Sequence, residues 1–358
     1  MPTAVSVEPY LEDLERRIDP AVEDALLSDW LGFWEGSCRE PYFAPSRPAA
    51  NPPGLDWPAV GVNEALEDND RMLLHQATFV SRALAEASGN ILCVRCNYGV
   101  GTLPSLFGAE QFLMDPELNC LPNVRPLPGG ADDIRRLLDA GVPDLDGGLG
   151  GRVFAMAEHY LRALADYPNI RRYVYLYHPD LQGPMDVCEL LWGSGIFLDL
   201  YEQPELVHDA MALICETYER FMARWEAVAP PAEAYPAGYS GHWRTMWKGR
   251  IVLREDSAMN LSPEMFREFI RPYDQRLLSN LGGGGIHFCG RGDHWIGDAA
   301  GMAGAHAFHS SQPEYNDMEV VFASTIDRGR RLVDLPREAA DEALAAGRDL
   351  RGRVHVRQ

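Results

Sequence analysis

The sequence predicts an α/β protein, a (β/α)8 TIM barrel preceded by an N-terminal helical and proline-rich extension. Strand-sized apolar runs alternate with helical segments through most of the chain, which is typical of a parallel sheet. Polar side chains cluster directly after those runs, and a barrel places its active site at the carboxyl ends of its strands. The length of 358 residues suits one such barrel with additions.

The N-terminal part has a different pattern. We expect an acidic helix near 7–17 and a helix over 69–88, where apolar residues recur at helical spacing. The segment 43–60 between them is rich in proline, which rules out a regular element there. The chain is therefore expected to divide into an extension packed on the barrel (1–86), the barrel (87–345) and a C-terminal tail (346–358).

The barrel is predicted from strands and helices that alternate along the sequence. Gly141 ends one helix, and Ser262 provides the N-cap of another. The predicted strands, some of which run into polar loops, lie in 90–100, 172–184, 250–263, 284–292 and 305–314. The predicted helices lie in 131–141, 151–168, 204–228, 262–282 and 297–304, and 318–330 is expected to be the last regular stretch.

Charge and cysteine content indicate the compartment of the protein and argue against some classes of partner. The formal net charge is −21, which argues against nucleic acid and anionic membranes as partners, although a local pocket can still bind a small anion. The N-terminus lacks the apolar core of a signal peptide, and no apolar run is long enough to span a bilayer. Seven scattered cysteines, of which Cys93 and Cys96 are interpreted as unrelated buried thiols, form no disulfide framework. We therefore expect a cytoplasmic protein with reduced thiols.

The stretch "GGGGIHFCGRGDHW" is the strongest candidate for chemistry. His287 and Cys289 lie two residues apart on a predicted strand, so their side chains share one face. Imidazole and thiolate together suit zinc. Gly285 and Gly290 leave room for a ligand near the backbone. The alternative is that Cys289 is a small core residue and His287 bonds to a loop.

A zinc ion requires at least three protein ligands, and no cysteine follows Cys289. The third ligand must therefore come from another strand end, and we assign it to Glu314. The alternatives are Asp256, His309, His242 and Cys96.

Further strand ends carry candidate catalytic and substrate-binding residues. Asp256 could bind the metal, orient His287 or hold a substrate cation, and it could equally cap a turn. His178 is a candidate general acid or base. Arg95 needs an anion, either an internal carboxylate or a substrate carboxylate or phosphate. The predicted catalytic residues are His178, Asp256, His287 and Cys289, and the predicted substrate-binding residues are Arg95, Asn97, Tyr98, Asp180, Gln182, Arg291, Gln312, Glu314 and Asn316.

Three segments carry a family resemblance: "HPDLQGPMDVCELLWGS" with the helix that follows it, "DSAMNLSPEMFREFIRPYDQRLL", and "IHFCG". Over about residues 90–340 the chain resembles the uroporphyrinogen decarboxylase superfamily, which includes the decarboxylase and zinc-dependent methyltransferases that act between corrinoid proteins and thiols. The resemblance implies a (β/α)8 barrel. In the methyltransferases, a histidine and a cysteine spaced like His287 and Cys289 bind zinc together with a distant cysteine, which this chain lacks. The arginine-rich substrate segment of the decarboxylase is represented here by Arg95 alone.

The sequence favours a cytoplasmic, methyltransferase-like enzyme from a divergent branch of that superfamily. It is expected to use zinc to move a methyl group between a corrinoid protein or small methylated donor and a thiol-type acceptor. One alternative is a metal-free decarboxylase or lyase in which Arg95 holds a carboxylate. Another is a non-catalytic protein that binds a small anion or corrinoid. No nucleotide cofactor is expected, because "GVGTLPSLFG" lacks the phosphate-loop signature. A homodimer is expected by analogy.

Overall fold

The computed structural model describes residues 6–357. Most of its helices agree with the 3.6-residue pattern of the sequence. The long helix predicted at 204–228 is found over those residues, and the helix predicted at 131–141 ends where Gly141 adopts φ +75°. The helices are α1 (Glu8–Arg17), α2 (Pro20–Glu35), α3 (Val62–Glu67), α4 (Asn69–Ala85), α5 (Thr102–Leu106), α6 (Ala131–Ala140), α7 (Gly150–Leu164), α8 (Pro168–Tyr173), α9 (Pro184–Trp192), α10 (Ile196–Glu202), α11 (Pro204–Val228), α12 (Pro263–Met265), α13 (Arg271–Asn280), α14 (Ile296–Ala300), α15 (Met318–Ser324) and α16 (Arg337–Ala345).

The strands are short. They are β1 (Cys93–Arg95), β2 (Glu110–Phe112), β3 (Asn123–Arg125), β4 (Tyr175–Tyr177), β5 (Tyr239–His242), β6 (Thr245–Lys248), β7 (Ile251–Arg254), β8 (Gly284–Phe288), β9 (Ala305–Ser310), β10 (Arg331–Pro336) and β11 (Val354–Arg357). Of these, β1, β7 and β8 are buried along their whole length. The main sheet is entirely parallel, in the order β11-β10-β9-β8-β7. Strand β1 pairs in parallel with β4, while β2–β3 and β5–β6 are antiparallel pairs.

The prediction of an α/β fold with parallel strands is confirmed. Within residues 6–357, however, the hydrogen-bonded strands form two separate parallel groups and two antiparallel pairs, so a closed barrel is not shown. Strands β1 and β4 contain three residues each, much shorter than the apolar runs that predicted them. Polar residues follow within two positions of each strand end, and Asn97 and His178 among them line cavities.

Register in the main sheet places three basic side chains in one row. Arg254 at the end of β7 lies opposite His287 of β8, and His287 lies opposite His309 of β9. Equivalent positions on adjacent parallel strands face the same side of the sheet. The three side chains therefore meet at the carboxyl edge, as the sequence pattern predicts.

The C-terminal part differs from the prediction. The stretch 318–330 is not the last regular one, because β10, α16 and β11 follow it, and β11 lies inside the predicted C-terminal tail. The apolar runs that form these strands are only one or two residues long and are interrupted by Asp334 and His355, which hid their periodicity. Asp334 interrupts β10 with φ +59°, and the register between β10 and β11 shifts at this point.

The helix predicted over 262–282 is present but has a wider turn inside it. Ser262 caps its start by accepting a hydrogen bond from the Met265 N–H. A π-helical turn over Phe266–Ile270 then separates α12 from α13. Pro272 lacks the N–H that would continue the ordinary ladder, which accounts for a break at this position.

Aromatic residues anchor the N-terminal segment to the sheets. Trp30 of α2 is fully buried and donates to the Gly89 carbonyl, while the Trp34 indole donates to Met246 of β6. The proline-rich stretch 43–60 contains no helix or strand, as predicted, yet Phe43 forms an isolated parallel bridge with His355 of β11. Trp30, Trp34 and Phe43 thereby bury their aromatic rings, which contribute to the hydrophobic core.

The hairpin of β5 and β6 has no counterpart in the sequence prediction. Its two-residue turn consists of Trp243 (φ +47°) and Arg244 (φ +65°), both in the left-handed region. Two-residue hairpin turns of this kind normally contain Asn or Gly, so a Trp-Arg turn stores backbone strain. The Arg244 backbone fixes the turn, because its N–H donates to Cys93 Sγ and its carbonyl accepts from Ile91.

His355 should make folding stability sensitive to acid. Burial lowers the pKa of His355 to about 3, and its Nδ1 accepts a hydrogen bond from the Asp334 N–H, which only the neutral ring can do. Below its ordinary pKa of about 6.5 the unfolded chain takes up a proton that the native state does not. From about pH 6.5 down to pH 3, this residue should therefore cost about 1.4 kcal/mol of stability per pH unit. Urea unfolding of wild type and His355→Asn between pH 7 and 4 measures the difference in slope, and parallel profiles would contradict it.

No helix among residues 6–357 is both long enough and apolar enough to cross a membrane.

Candidate functional site

Three potential metal-binding side chains meet at the carboxyl edge of the main sheet. His287 Nε2 lies 3.5 Å from Cys289 Sγ and 3.6 Å from Asp256 Oδ1. All three ligand atoms lie within 4.8 Å of one another. They present one nitrogen, one sulfur and one carboxylate oxygen, a donor set that suits zinc.

Local backbone bonds hold the triad of Asp256, His287 and Cys289 together. Asp256 follows β7, and its Oδ1 accepts from the Cys289 N–H at 2.8 Å, so the carboxylate lies against the end of β8. Cys289 follows β8 by one residue, and its sulfur accepts from the Ser311 hydroxyl at 3.2 Å. Asp186, at the start of α9, accepts from the backbone N–H groups of Asp256 and Ser257. The loop after β7 is thereby fixed from both sides.

The electrostatics of the triad favour a bound cation. Burial raises the pKa of the Cys289 thiol to about 11, and the Asp256 carboxylate adds to this effect. Burial also raises the pKa of Asp256, and burial together with Asp256 raises the pKa of Asp186. Burial and mutual repulsion disfavour the negatively charged forms of these groups. A divalent cation would supply the missing positive charge and favour the deprotonated thiol.

A second histidine lies directly behind the triad. His309 of β9 approaches His287 with the two Nδ1 atoms 3.0 Å apart. The other nitrogen of His309, Nε2, is buried without a hydrogen bond and lies 3.6 Å from Asp334 Oδ2. Burial holds the pKa of His287 well below its usual range and lowers that of His309 to about 4, so both rings are neutral near pH 7.

A buried basic cluster lies beside the triad. Asp180 accepts from Gln182 and forms an ion pair with Arg254 at 2.9 Å, while Arg95 Nη1 lies farther from it, at 3.6 Å. One carboxylate therefore faces two guanidinium groups, and Arg95 Nη1 has no hydrogen-bond partner in the described chain. The excess positive charge is notable in a protein of net charge −21.

A cavity of ≈ 350 Å³ opens next to this cluster. Arg95 and Asn97 line it from β1 and the residues after it, and the turn residues Trp243 and Arg244 line it from the hairpin. No Asp or Glu occurs among its described lining residues, and the buried Asn97 Oδ1 has no hydrogen-bond partner in residues 6–357. Trp243 also contacts the His287 ring, with centroids 4.7 Å apart, so one indole separates the cavity from the triad.

His178, a predicted catalytic residue, and Tyr98, a predicted substrate-binding residue, do not line this cavity. His178 lines a different cavity of ≈ 170 Å³ beside His242, its Nδ1 is 2.8 Å from the Pro179 carbonyl, and burial lowers its pKa to about 4. Tyr98 is buried under the guanidinium of Arg152. Asp180 and Gln182 belong to the basic cluster instead.

The predicted residues after β9 contact the loop after β8. Gln312 accepts from the Gly290 N–H, and Asn316 bonds the backbone at Gly290 and Gly292. Arg291 is exposed and pairs with Asp293. Glu314, the assigned third ligand, is exposed and lines a separate surface cavity with Met318 and Phe322, whereas the structure brings Asp256 to His287 and Cys289.

Sequence reasoning did not single out several site residues. Trp243 and Arg244 gave no signal, because "GHWRTM" contains no residue typical of a tight turn between strands. Asp334 carried a weak signal, as a charged residue inside the apolar run "RLVDLP". His309 was an alternative third ligand, but its contact with His287, like the position of Arg254 beside His287, depends on register.

Comparison with known proteins yields a match of fold. No family model matches the sequence, and no curated protein matches it. Among solved structures, the chain is similar to a methyltransferase from Methanosarcina mazei, with 19% sequence identity and a TM-score of 0.58. The match covers 81% of this chain and 80% of that one. At this level of identity it establishes a shared fold.

Proposed function

We propose that Asp256, His287 and Cys289 bind one zinc ion, and that the protein is a methyltransferase acting between a corrinoid protein or small methylated donor and a thiol-type acceptor. The geometry of the triad carries the proposal. Ligand atoms at the corners of a zinc tetrahedron are roughly 3.3–3.6 Å apart, given the usual Zn–N, Zn–O and Zn–S lengths. The separations of 3.5 and 3.6 Å from His287 Nε2 agree with this spacing.

Each triad residue has a separate part in this proposal. His287 offers Nε2, Cys289 offers its sulfur, and Asp256 takes the place first assigned to Glu314. Three protein ligands leave a fourth position open for a substrate, as in catalytic zinc sites. Zinc would lower the pKa of an acceptor thiol and so make it nucleophilic near neutral pH. Trp243 and the buried ends of β8 and β9 keep water from one side of the triad.

The cavity beside the triad is the proposed substrate site. Arg95 and Arg244 supply two guanidinium groups, and Asn97 an unpaired amide oxygen, without a carboxylate in the lining. Such a lining suits an anionic group of a small substrate. Val62, Phe79 and Leu121 supply apolar surface for the rest of the molecule.

The fold match supports the wider assignment. We propose a divergent member of the uroporphyrinogen decarboxylase superfamily, with a (β/α)8 barrel that begins near residue 87 and includes β11, and with an extension over 1–86 packed against it. The support is the parallel order of β7 to β11, the intervening helices, and the fold shared with a methyltransferase over most of both chains.

The metal content of the purified protein tests the triad directly. Wild type purified without chelators is expected to contain about one zinc per chain by elemental analysis. Cys289→Ala is expected to contain almost none, because removing the sulfur leaves only two ligands. Cys38→Ala is the matched control, since Cys38 is also half-buried but lies outside the triad.

Two outcomes would overturn the assignment. Full zinc content in Cys289→Ala would exclude the cysteine as a ligand. A metal-free wild type, active after chelator dialysis, would favour a second candidate, a carboxy-lyase in which Arg95 holds a substrate carboxylate. The observation that favours this alternative is that the buried Arg95 Nη1 makes no hydrogen bond in the described chain.

A further inference from the structure

The histidine behind the triad belongs to a chain of polar contacts that spans four strands. His287 on β8 contacts His309 on β9, His309 faces Asp334 on β10, and the Asp334 N–H donates to His355 Nδ1 on β11. His287, His309 and His355 are all more than nine-tenths buried. A row of buried polar groups costs stability unless each has a partner, so its presence beside the triad calls for an explanation.

The protons in this row can be assigned from the geometry. Two Nδ1 atoms 3.0 Å apart form a hydrogen bond when one carries a proton and the other offers its lone pair, so one ring donates and the other accepts. If His287 Nε2 is a ligand atom, its lone pair must point to the metal. The ring proton must then be on Nδ1. His287 then donates to His309 Nδ1, which leaves the His309 proton on Nε2. That nitrogen faces the Asp334 carboxylate and has no other partner in the described chain.

We propose that His309 and Asp334 are positioning residues that fix the tautomer and ring orientation of His287 for zinc binding. This inference rests on the proposed zinc site. A ligand histidine usually donates its second N–H to a carboxylate or a carbonyl, and loss of that partner typically weakens metal binding about 10–100-fold. Here a second imidazole stands between the ligand and the carboxylate.

The backbone conformation at Asp334 supports this positioning role. Its φ of +59° lies in the left-handed region, and the register shift between β10 and β11 occurs at this residue. A regular strand would place the side chain differently, so the irregularity is what brings the carboxylate to His309. Strain of this kind persists where the surroundings hold it, and here His355 holds the Asp334 N–H.

Zinc affinity, measured by competition with a chromophoric chelator, tests the proposal without an activity assay. His309→Leu keeps the volume but removes both nitrogens, and its dissociation constant for zinc is expected to rise about 10–100-fold. His309→Asn offers an acceptor near the position of Nδ1 and should restore most of the affinity. Asp334→Asn tolerates the left-handed backbone and should give a weaker loss, about 10-fold.

Two controls separate positioning from a general effect on the fold. His306→Leu alters the same strand at a half-buried histidine that faces away from His287, and it should leave zinc affinity unchanged. In the Co²⁺-substituted protein, His309→Leu should shift the visible absorption bands that report ligand geometry, while His306→Leu should not.

The outcomes distinguish this inference from the proposed function. A folded His309→Leu variant that binds zinc as tightly as wild type overturns the positioning role and leaves the triad intact. Equal losses in His309→Leu and His309→Asn would also overturn it, because the hydrogen bond would then not matter. A wild type that binds no zinc overturns both proposals.

Discussion

Asp256→Ala is expected to raise the dissociation constant for zinc on the order of 10²-fold. The free energy of zinc binding at a four-ligand site is about 10–16 kcal/mol, so each ligand supplies about 3 kcal/mol or more. Asp256 has two roles, since its Oδ1 is a candidate ligand and also accepts from the Cys289 N–H. Alanine removes both. The loss should be visible in zinc titrations of the chelator-dialysed protein.

Asp256→Asn separates these two roles. The amide oxygen can still accept from Cys289, so the loop should keep its structure and the thermal midpoint should change little. The negative charge is lost, so zinc affinity should still fall markedly. Glu314→Ala serves as the second control, because Glu314 is exposed and outside the triad, and it should bind zinc like wild type. A large loss in Glu314→Ala with none in Asp256→Asn would reverse the choice of third ligand.

Gly285→Ala is expected to lower the free energy of unfolding by about 3 kcal/mol, the upper range for overpacking a dense core. A Cβ atom on Gly285 would overlap the six-membered ring of Trp247, which is almost fully buried. The Trp247 indole donates to the His242 carbonyl, so the ring cannot move without disturbing the hairpin. Urea unfolding measures the loss.

A matched variant and a double mutant check the cause. Gly297→Ala in α14 meets only the Ser324 hydroxyl, at an ordinary 3.6 Å, and its stability should be unchanged or slightly higher. Trp247→Leu makes room for the new methyl group. Adding Gly285→Ala to Trp247→Leu should therefore cost much less than adding it to wild type. Equal costs would show that the glycine matters for its backbone and not for the space it leaves.

Gly285 also connects packing to the site. It lies two residues before His287, and its missing side chain lets Trp247 and therefore the β5–β6 hairpin approach β8. The turn of that hairpin carries Trp243 against the His287 ring and Arg244 into the cavity. This single glycine in the stretch "GGGGIHFCGRGDHW" thus helps determine where the proposed substrate site lies.

The helices and the parallel strands were predictable because their signals are local. Apolar residues at helical spacing predicted α4, α6 and α11, and the histidine, cysteine and aspartate that form the triad were all recognised at strand ends. A side chain two residues from another on an extended segment faces the same side whatever the rest of the chain does. His287 and Cys289 could therefore be paired from the sequence.

The partners of these residues could not be predicted, because they depend on which strands are neighbours and in what register. The sequence offered five candidates for the third ligand, and only the pairing of β7 with β8 brought Asp256 to the triad. In the same way, the pairing of β8 with β9 placed His309 behind His287, and the irregularity of β10 brought Asp334 to His309. The Trp243–Arg244 turn stayed hidden because its strained backbone is held by contacts with Ile91 and Cys93, far away in sequence. Local periodicity determined which residue types stand at the strand ends. Long-range packing decided which of them meet, since contacts between distant segments leave no periodic trace in a single sequence.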